Sequence, residues 1–235
     1  GDVRNKGSLQ KAIDKFCPEI VFHFAAQSLV RKSYEDPALT FETNSIGTLN
    51  LLECLRNQPS IKAAVLITSD KCYENVEWLW GYRENDRLGG KDPYSASKAC
   101  AELISRVYME SFFKNNGPNI ATARAGNVIG GGDRSWGRLL PDCIRSMTVG
   151  RPIELRSPEA VRPWQHVLDP LAGYLLLAER LLSSDGDRFS SSWNFGPKSQ
   201  HSVSVRELVT VACRAWGSDP IASSFRSWKS MRFKA

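Results

Sequence analysis

The stretch that decides the fold begins Ala63-Ala-Val-Leu-Ile-Thr68, continues with Ser69-Asp-Lys71 and, after a loop, resumes with Asp92-Pro-Tyr-Ser-Ala-Ser-Lys98. The first run is apolar without interruption, as in a buried strand of a parallel sheet. In the last run, Asp92 suits the cap of a helix and Pro93 suits its first turn. The sequence therefore predicts a strand and a helix joined by a loop, with a polar tripeptide at the carboxyl end of the strand.

The helix of this stretch carries Tyr94 and Lys98, which are four residues apart. A helix places such residues on one face, about a turn from each other. A phenol ordinarily ionises near pH ~10, and a neighbouring cation favours the phenolate. We therefore predict that Tyr94 is an acid and base, that Lys98 activates it, and that Ser69 hydrogen-bonds the same substrate oxygen. A surface pair on a helix is the alternative.

Strand-like and helix-like runs alternate on both sides of this stretch. The predicted strands are residues 19–24, 63–68 and 120–125, and the predicted helices are one capped by Ser8, one with the apolar stripe Ile46, Leu49, Leu52 and Leu55, and one from Tyr94. A loop is expected over residues 25–37. This alternation predicts an α/β fold built on a doubly wound, Rossmann-like parallel sheet.

Beyond residue 132 the pattern is less regular. The predicted elements are helices at residues 139–149 and 171–182, short strands at 153–155 and 193–196, and a last helix that ends at Trp216. Ser204 and Glu207 form a capping box before that last helix. No structure is predicted from residue 218 onward.

Composition and charge argue against several classes of protein. Hydrophobic residues make up 42% and charged residues 24% of the 235-residue chain, as in ordinary globular proteins. The net charge of +6 comes from scattered Lys and Arg residues rather than a basic run, which argues against nucleic acid as a partner. No apolar run is long enough to cross a membrane. Six widely spaced cysteines without a Cys-x-x-Cys motif predict free thiols in a reducing cytoplasm and no metal site.

Seven motifs indicate one family, and the resemblance that they carry covers the chain as far as about residue 216. They are His23-Phe-Ala-Ala-Gln-Ser-Leu-Val-Arg31, Thr68-Ser-Asp-Lys-Cys-Tyr73, Trp80-Gly-Tyr-Arg-Glu-Asn85, Tyr94-Ser-Ala-Ser-Lys98, Arg124-Ala-Gly-Asn-Val-Ile-Gly-Gly-Gly-Asp133, Arg162-Pro-Trp-Gln-His-Val167 and Trp193-Asn-Phe-Gly-Pro197. Their residues and order resemble the extended, nucleotide-sugar-modifying branch of the short-chain dehydrogenase/reductase superfamily, which contains the NAD-dependent epimerases and dehydratases. Within that branch the match is closest to the CDP-glucose 4,6-dehydratases.

The resemblance implies an internal redox elimination on CDP-glucose, with NAD as a retained cofactor. Tyr94 would remove the proton of the sugar C4 hydroxyl while NAD takes the C4 hydride. Water would then leave from C5–C6, and the hydride would return to C6. The elimination requires an additional acid and base. Asp70 and Lys71 directly follow Ser69 and are placed for that work, where related dTDP-sugar dehydratases carry Asp-Glu. A strand-end turn with solvated charges is the alternative.

The resemblance also implies binding residues. For the cofactor they are Asp2, Val3, Ala25, Ala26, Gln27 and Asn44, together with Tyr94 and Lys98. Asn127 and Arg162 are candidates for contacts with the nucleotide sugar, because the planar fork of Arg matches a phosphate. A surface Arg next to Pro is the alternative for Arg162. His23 is predicted to be a satisfied core histidine rather than a catalyst, and the aromatic side chains within residues 78–82 either shape a pocket or pack.

The resemblance implies two interleaved domains. Residues 1–126 and 164–198 would form a partial NAD-binding Rossmann domain, and residues 127–163 and 199–235 a smaller α+β substrate-binding lobe. Gly1-Asp-Val-Arg4 corresponds to the end of the family's third strand and offers neither an initiator methionine nor the start of a signal peptide. The chain also contains no Gly-x-Gly-x-x-Gly turn of the kind that holds a dinucleotide. We therefore expect an N-terminally truncated chain that lacks the first strands of the sheet.

Two classes of function remain open at this point. The first is a CDP-glucose dehydratase, with a dehydratase or epimerase for another nucleotide sugar as its neighbour, although Asp70 and Lys71 argue against an epimerase. The second is a catalytically silent fragment of such an enzyme, which the lack of the glycine-rich turn favours. The resemblance implies a homodimer formed through helices at residues 38–57 and 94–115.

Overall fold

The computed structural model describes residues 1–114, 117–197 and 202–217, and the backbone of residues 226–227. The chain forms two compact units, Gly1–Gly126 with Leu168–Phe195 and Asn127–Val167 with Gly196–Ala235. These units are defined by packing alone. The division into an NAD-binding domain and a substrate-binding lobe therefore stays a prediction.

The strands are short, and they follow one another in chain order as β1 (Ile20–His23), β2 (Ala63–Ile67), β3 (Asn119–Ala125), β4 (Val128–Ile129), β5 (Glu154–Leu155), β6 (Val161–Arg162), β7 (Gln165–His166), β8 (Ser192–Phe195), β9 (Val203–Ser204) and β10 (Arg226–Ser227). The first unit contains a four-stranded sheet in the order β1-β2-β3-β8. All its strands are parallel, with Ala63 opposite both Ile20 and Asn119. The carboxyl ends of β2 and β3 therefore lie at the same edge of the sheet.

The helices are α1 (Lys6–Phe16), α2 (Val30–Glu35), α3 (Pro37–Phe41), α4 (Gly47–Leu55), α5 (Pro93–Tyr108), α6 (Leu139–Thr148), α7 (Leu168–Leu181) and α8 (Val205–Trp216). A π-helical turn, Glu42–Ile46, joins α3 to α4, and a second one, Met109–Phe113, extends α5. Single 3₁₀ turns occupy Asp70–Cys72 and Gly186–Phe189.

Two apolar layers cover the two faces of the parallel sheet. Alternate residues of a strand point to opposite faces. Ala64 and Leu66 of β2 pack in a cluster with side chains of α4 and α5, whereas Ala63 and Val65 pack in another with side chains of α7. Helices on both faces of a parallel sheet are the arrangement that the sequence predicted, and the α/β, doubly wound fold is confirmed.

The second unit has its own small core. Cys143 of α6, Leu155 of β5 and Cys213 of α8 are buried together with Ile153 and Val209. Helix α8 begins at the predicted capping box, in which the Ser204 hydroxyl and the Glu207 carboxylate each bond to the backbone of the other residue. Burial of these apolar side chains and the capping of α8 both stabilise the unit.

The structure corrects three local predictions. The cap of α1 is Asn5, whose side chain accepts a hydrogen bond from the Ser8 backbone nitrogen at 2.9 Å, so the helix begins before Ser8 rather than after it. Residues 25–37 are not only a loop, because they contain α2. The π-helical turn rotates the face that follows it, which leaves Ile46 46% exposed although it belongs to the predicted apolar stripe. Residues 115 and 116, at the end of the helix predicted from Tyr94, lie outside the described residues.

The described part of the chain offers neither a membrane-spanning helix nor a cluster of metal-ligating side chains. In residues 1–114, 117–197 and 202–217, no helix combines the length and the apolar character that a membrane span requires. Over the same residues, no group of three or more His, Cys, Asp or Glu side chains is arranged to hold a metal ion.

Candidate active site

Three polar side chains occupy the turn at the carboxyl end of β2. Ser69 caps the 3₁₀ turn and accepts a hydrogen bond from the Lys71 backbone nitrogen at 3.2 Å. Its hydroxyl donates to Asp70 Oδ1 at 3.1 Å. Ser69 is buried, whereas Asp70 and Lys71 are half-buried. The turn thus presents a hydroxyl, a carboxylate and an ammonium group within three consecutive residues, at the sheet edge where parallel α/β sheets bind ligands.

Helix α5 begins beside this turn and carries the predicted acid/base pair. Asp92 caps the helix, and its side chain accepts hydrogen bonds from the Ser95 backbone nitrogen at 3.0 Å and the Ser95 hydroxyl at 2.6 Å. Tyr94 and Lys98 are both buried, 8% and 5% exposed. The helix packs against the Asp70–Cys72 turn. The structure therefore packs the turn and the helix that carry the five predicted catalytic residues against each other, and their catalytic roles stay predictions.

Lys98 is tied to the strand as well as to the helix. Its Nζ donates a hydrogen bond to the carbonyl oxygen of Ile67, the last residue of β2, at 3.1 Å. Burial lowers the pKa of the Lys98 ammonium group to about 8, an effect that the Glu102 carboxylate partly opposes. At pH 7 most of the population still carries the charge that would favour a phenolate at Tyr94.

The loop after β1 is anchored to the same helix. Asn44 accepts a hydrogen bond from the Gln27 backbone nitrogen at 2.8 Å and donates to the Gln27 carbonyl at 3.0 Å and to the Ser97 hydroxyl at 2.9 Å. The Gln27 side chain bonds within its own loop and to Thr40. Both residues therefore shape the loop that carries Ala25 and Ala26, and their predicted contacts with a cofactor stay predictions.

Asp2, the residue predicted to contact adenine, is paired within the chain. Its carboxylate receives three hydrogen bonds from the Arg4 guanidinium, the shortest at 2.6 Å. The side chains of Asp2 and Arg4 are 49% and 40% exposed. The hydrogen bonds with Arg4 hold the pKa of the Asp2 carboxyl at about 2. Val3, beside it, packs against Gly47, where any added Cβ would lie 2.7 Å from a Val3 methyl group.

Asn127 and Arg162 belong to the second unit. The Asn127 carbonyl accepts a hydrogen bond from the Gln165 nitrogen at 3.0 Å, where β4 and β7 pair. Arg162 lies on β6, opposite Val203, and is exposed. Trp164 donates from its indole nitrogen to the Val203 carbonyl at 3.2 Å and so holds the segment after Pro163. The guanidinium is thus carried on a paired strand and is exposed, with its Nη1 donating to the Val161 carbonyl at 2.8 Å.

Two other sequence interpretations concern aromatic and histidine side chains. His23 is buried, and its Nε2 lies 3.2 Å from the Thr48 hydroxyl, as expected for a satisfied core histidine. Burial lowers its pKa to about 4, so it is neutral near pH 7. Tyr82 packs on Tyr73, with 5.1 Å between ring centroids, whereas Trp80 is 61% exposed.

The sequence did not predict a buried charged pair beneath the turn. Glu102 of α5 and Arg124 of β3 are 1% and 3% exposed, and Arg124 Nη2 lies 2.7 Å from a Glu102 carboxylate oxygen. The available signal was the spacing, since Glu102 follows Lys98 by the same four residues that separate Lys98 from Tyr94. An Arg one residue before the end of the predicted strand 120–125 was a second signal, because an Arg is almost never fully buried without a partner.

Known proteins align with most of this chain. The chain is 50% identical over 224 residues to a CDP-glucose 4,6-dehydratase from Salmonella typhimurium, an alignment that covers 93% of this chain and 62% of the relative. It is 27% identical over 234 residues to a CDP-paratose 2-epimerase from Salmonella typhi, which covers 90% of this chain and 67% of that protein. The chain therefore spans between three-fifths and two-thirds of the length of these two relatives.

Solved structures share the fold. A dTDP-glucose 4,6-dehydratase from Streptomyces venezuelae, solved with NAD, superposes with a TM-score of 0.81 at 27% identity over 97% of this chain and 65% of that one. A UDP-glucose 4-epimerase from Thermus thermophilus, in complex with NAD, gives a TM-score of 0.78 at 29% identity over 94% of this chain and 69% of that one.

The match to a family model extends over nearly the whole sequence. The model described as GDP-mannose 4,6 dehydratase matches residues 1–223, which include all of the first unit, most of the second and every candidate site residue. The resemblance to nucleotide-sugar dehydratases that the motifs predicted is thereby confirmed. With its parallel sheet and its Ser69, Tyr94 and Lys98 at the carboxyl edge, the chain belongs to the GDP-mannose 4,6 dehydratase family.

Proposed function

We propose that the protein converts CDP-D-glucose to CDP-4-keto-6-deoxy-D-glucose by C4 oxidation, elimination of water across C5–C6 and return of hydride to C6, with NAD as a retained cofactor. The observation that carries this proposal is the packing of the Ser69-Asp70-Lys71 turn against the helix that carries Tyr94 and Lys98. The 50% identity with a CDP-glucose 4,6-dehydratase supports the choice of sugar nucleotide.

The residues at this edge suit a nicotinamide cofactor. Among the described residues, the buried Lys98 ammonium group uses one of its three N–H donors, on the Ile67 carbonyl. The two others suit ribose hydroxyls and the Tyr94 oxygen, while the small Ala25 and Ala26 let backbone approach a ligand. With Asp2, Val3, Gln27 and Asn44, these residues would hold NAD. When bound, NAD would supply the acceptor and later the donor of the hydride.

The first half of the reaction is the oxidation at C4, and it would be carried out by Tyr94, Lys98 and Ser69. The Tyr94 phenolate takes the proton of the C4 hydroxyl as the C4–H bond breaks, and the Lys98 charge keeps that phenolate accessible near neutral pH. Ser69 donates a hydrogen bond to the same sugar oxygen. In this structure the Ser69 hydroxyl donates to Asp70 Oδ1, so it would turn from that carboxylate to the substrate oxygen.

The second half needs a different acid and base. Ketone formation at C4 acidifies the C5 proton, and a base must take it while an acid protonates the leaving C6 hydroxyl. Ser69 and Tyr94 hold the C4 oxygen and cannot supply both. Asp70 and Lys71, within the same turn, are the nearest groups of the right chemistry. Arg162 would bind the diphosphate through its planar fork and Asn127 the nucleotide sugar.

The experiment is an isotope transfer with the full-length protein. CDP-glucose deuterated at C4 is incubated with the protein and NAD, and the product is examined by NMR and mass spectrometry. We expect a 4-keto product that has lost one water and carries deuterium at C6 within the same molecule. Tyr94→Phe is the matched control and should leave the substrate intact. Epimerisation without loss of water, or turnover of another nucleotide sugar only, would contradict the proposal.

The silent-fragment hypothesis has its own test. The 235-residue chain is titrated calorimetrically with NAD in parallel with the full-length protein. Each charge-assisted hydrogen bond absent from a cofactor site costs about 1.5–3 kcal/mol, so several such losses weaken binding by orders of magnitude. Micromolar or tighter binding by the 235-residue chain would sink this hypothesis.

We also propose that the protein works as a homodimer in the cytoplasm. The predicted interface helices leave apolar side chains exposed in the first unit, among them Ile46, Leu103, Val107 and Phe112. All six cysteines lie in the described residues and are free thiols, which fits a reducing compartment.

A further inference from the structure

Glu102 and Arg124 form a buried ion pair next to the Ser69-Asp70-Lys71 turn. The side chains are 1% and 3% exposed, and their closest atoms, Glu102 Oε2 and Arg124 Nη2, are 2.7 Å apart. A buried ion pair is by itself weak evidence of a stabilising role, because desolvation of two charges offsets much of their attraction. Its other contacts give a clearer indication of what the pair does.

Glu102 is hydrogen-bonded to the residue that directly precedes the turn. Its Oε1 accepts a hydrogen bond from the hydroxyl of Thr68, the residue directly before Ser69. Its Oε2 accepts from the hydroxyls of Thr122 at 2.9 Å and Ser192 at 3.1 Å, in addition to Arg124. The carboxylate is thus surrounded by four donors, only one of which is a charged group.

Arg124 is hydrogen-bonded to the residue that directly follows the 3₁₀ turn. Its Nη1 donates to the hydroxyl of Tyr73 at 2.8 Å and to the Glu84 carbonyl at 2.9 Å. Tyr73 directly follows Cys72, the last residue of the 3₁₀ turn, and donates in its own right to Asn194 Oδ1 at 2.6 Å. The two members of the pair therefore hold the two ends of residues 68–73.

We propose that Glu102 and Arg124 are positioning residues that clamp the Ser69-Asp70-Lys71 turn between Thr68 and Tyr73. Glu102 lies on the same helix as Tyr94 and Lys98, so the clamp fixes the eliminating groups relative to the acid/base pair. The catalytic consequence rests on the proposed function, whereas the clamp itself rests on the contacts alone. A pair that only stabilises the fold is the competing explanation.

Each single variant removes one of these hydrogen bonds, and no variant leaves a buried charge without its partner. Thr68→Val deletes the hydroxyl that bonds to Glu102, and Tyr73→Phe deletes the hydroxyl that bonds to Arg124 while keeping the ring that stacks on Tyr82. The double variant Glu102→Met/Arg124→Leu removes both charges together. Tyr108→Phe is the control, since Tyr108 lies on the same helix but donates to Glu53, at 2.6 Å.

The first readout needs no catalysis. Cys72 lies inside the turn and is 0% exposed, and Cys54, in the core of the same unit, is also 0% exposed. Labelling with N-ethylmaleimide is followed peptide by peptide with mass spectrometry. A loosened turn opens locally without global unfolding. We expect Thr68→Val, Tyr73→Phe and the double variant to label at Cys72 at least about tenfold faster, with Cys54 unchanged and Tyr108→Phe like the parent.

The second readout separates positioning from binding in the full-length protein. With CDP-glucose as substrate, Thr68→Val and Tyr73→Phe should lower kcat about 10- to 100-fold and leave KM within about twofold. The oxidised sugar intermediate should accumulate with reduced cofactor, because C4 oxidation depends less on the clamped pair Asp70 and Lys71 than the elimination does.

Each outcome bears on the clamp. Labelling of Cys72 at the parent rate in all three variants overturns the proposal, whatever the activity. Faster labelling with an unchanged kcat overturns the catalytic consequence and leaves a purely structural clamp. A parent protein that labels as expected but does not dehydrate CDP-glucose overturns the proposed function and not the clamp.

Discussion

Lys98 is an ammonium group held where a charge is costly. Its side chain is 5% exposed, and burial lowers its pKa from 10.5 to about 8. Between these two pH values the unfolded chain binds one more proton at this position than the folded chain does, so the contribution of Lys98 to stability rises with pH. The penalty is fully present below pH 8, where the proposed catalysis needs the charge. Catalysis and stability therefore have opposite pH dependences at this residue.

Lys98→Met should reveal that penalty as added stability. We expect the free energy of unfolding of the variant to exceed that of the parent by roughly 3 kcal/mol at pH 7, with the excess shrinking as pH rises toward 10.5. Denaturant titrations at several pH values measure it, with Lys32→Met, at an exposed lysine of α2, as the matched control. An excess that stays constant over this pH range would contradict the prediction.

Asp70 and Lys71 should govern elimination rather than oxidation. Loss of an acid or base typically costs about 10²–10⁴-fold in rate. In the full-length protein, Asp70→Asn and Lys71→Met should therefore form the NADH absorbance signal and retain it, because hydride cannot return to C6 before water has left. Tyr94→Phe should suppress the signal from the start. Formation of the 4-keto-6-deoxy product at the parental rate by both variants would remove this pair from the mechanism.

Arg162 should depend on its geometry more than on its charge. Arg162→Lys keeps the positive charge and loses the bidentate fork, so we expect the KM for CDP-glucose to rise about tenfold, which corresponds to about 1.4 kcal/mol. Arg156→Lys, at another exposed arginine of the same unit, is the control. Unchanged kinetics for both variants would contradict the prediction and indicate that Arg162 is a surface residue without a role in substrate binding.

At the scale of elements, the start of α5 determines where Tyr94 lies. Asp92, at the end of the strand-to-helix loop, accepts a hydrogen bond from the Ser95 backbone nitrogen. Removal of such a capping side chain typically lowers the stability of a protein by about 0.5–2 kcal/mol. Asp92→Ala should lower both stability and kcat. Asp36→Ala removes the equivalent cap of α3, with a 2.9 Å bond to the Leu39 nitrogen, and should lower stability alone. Equal losses of kcat in the two variants would show that capping of α5 has no local effect on the site.

Local signals explain which elements the sequence could predict. The cap at Asp92, the capping box at Ser204 and the apolar run of β2 each depend on neighbours in the chain, and the structure confirms them. The π-helical turn at Glu42–Ile46 was not predicted, because one extra residue in a helix leaves the apolar spacing on either side intact.

For the candidate site too, the sequence predicted what local motifs carry and missed what only the tertiary packing brings together. Ser69, Tyr94 and Lys98 could be predicted as catalytic from spacing and resemblance, because short motifs carry them, and that role stays a prediction. Glu102 and Arg124 were missed as partners, because they lie 22 residues apart and only the packing of α5 on β3 brings them together. The anchoring of Asn44 on Ser97, across 53 residues, was missed for the same reason.

At the scale of the whole molecule, the open question is association. Val107 is 53% and Leu103 is 43% exposed on α5, and exposed apolar patches on a helix mark interaction surfaces. The predicted homodimer would bury them, so a charge at Val107 would have to be desolvated on association. We expect Val107→Glu to convert a dimer into a monomer at micromolar concentration, as measured by analytical ultracentrifugation.

Val211→Glu is the matched control for this prediction, because Val211 is 60% exposed on α8 in the second unit, outside the predicted interface helices. Both substitutions add one negative charge at an exposed valine, so a general effect of charge on association would appear in both. Dissociation in Val107→Glu alone locates the interface on α5. A parent protein that sediments as a monomer, or a dimer that survives Val107→Glu and dissociates with Val211→Glu, would place the exposed face of α5 outside any homodimer interface.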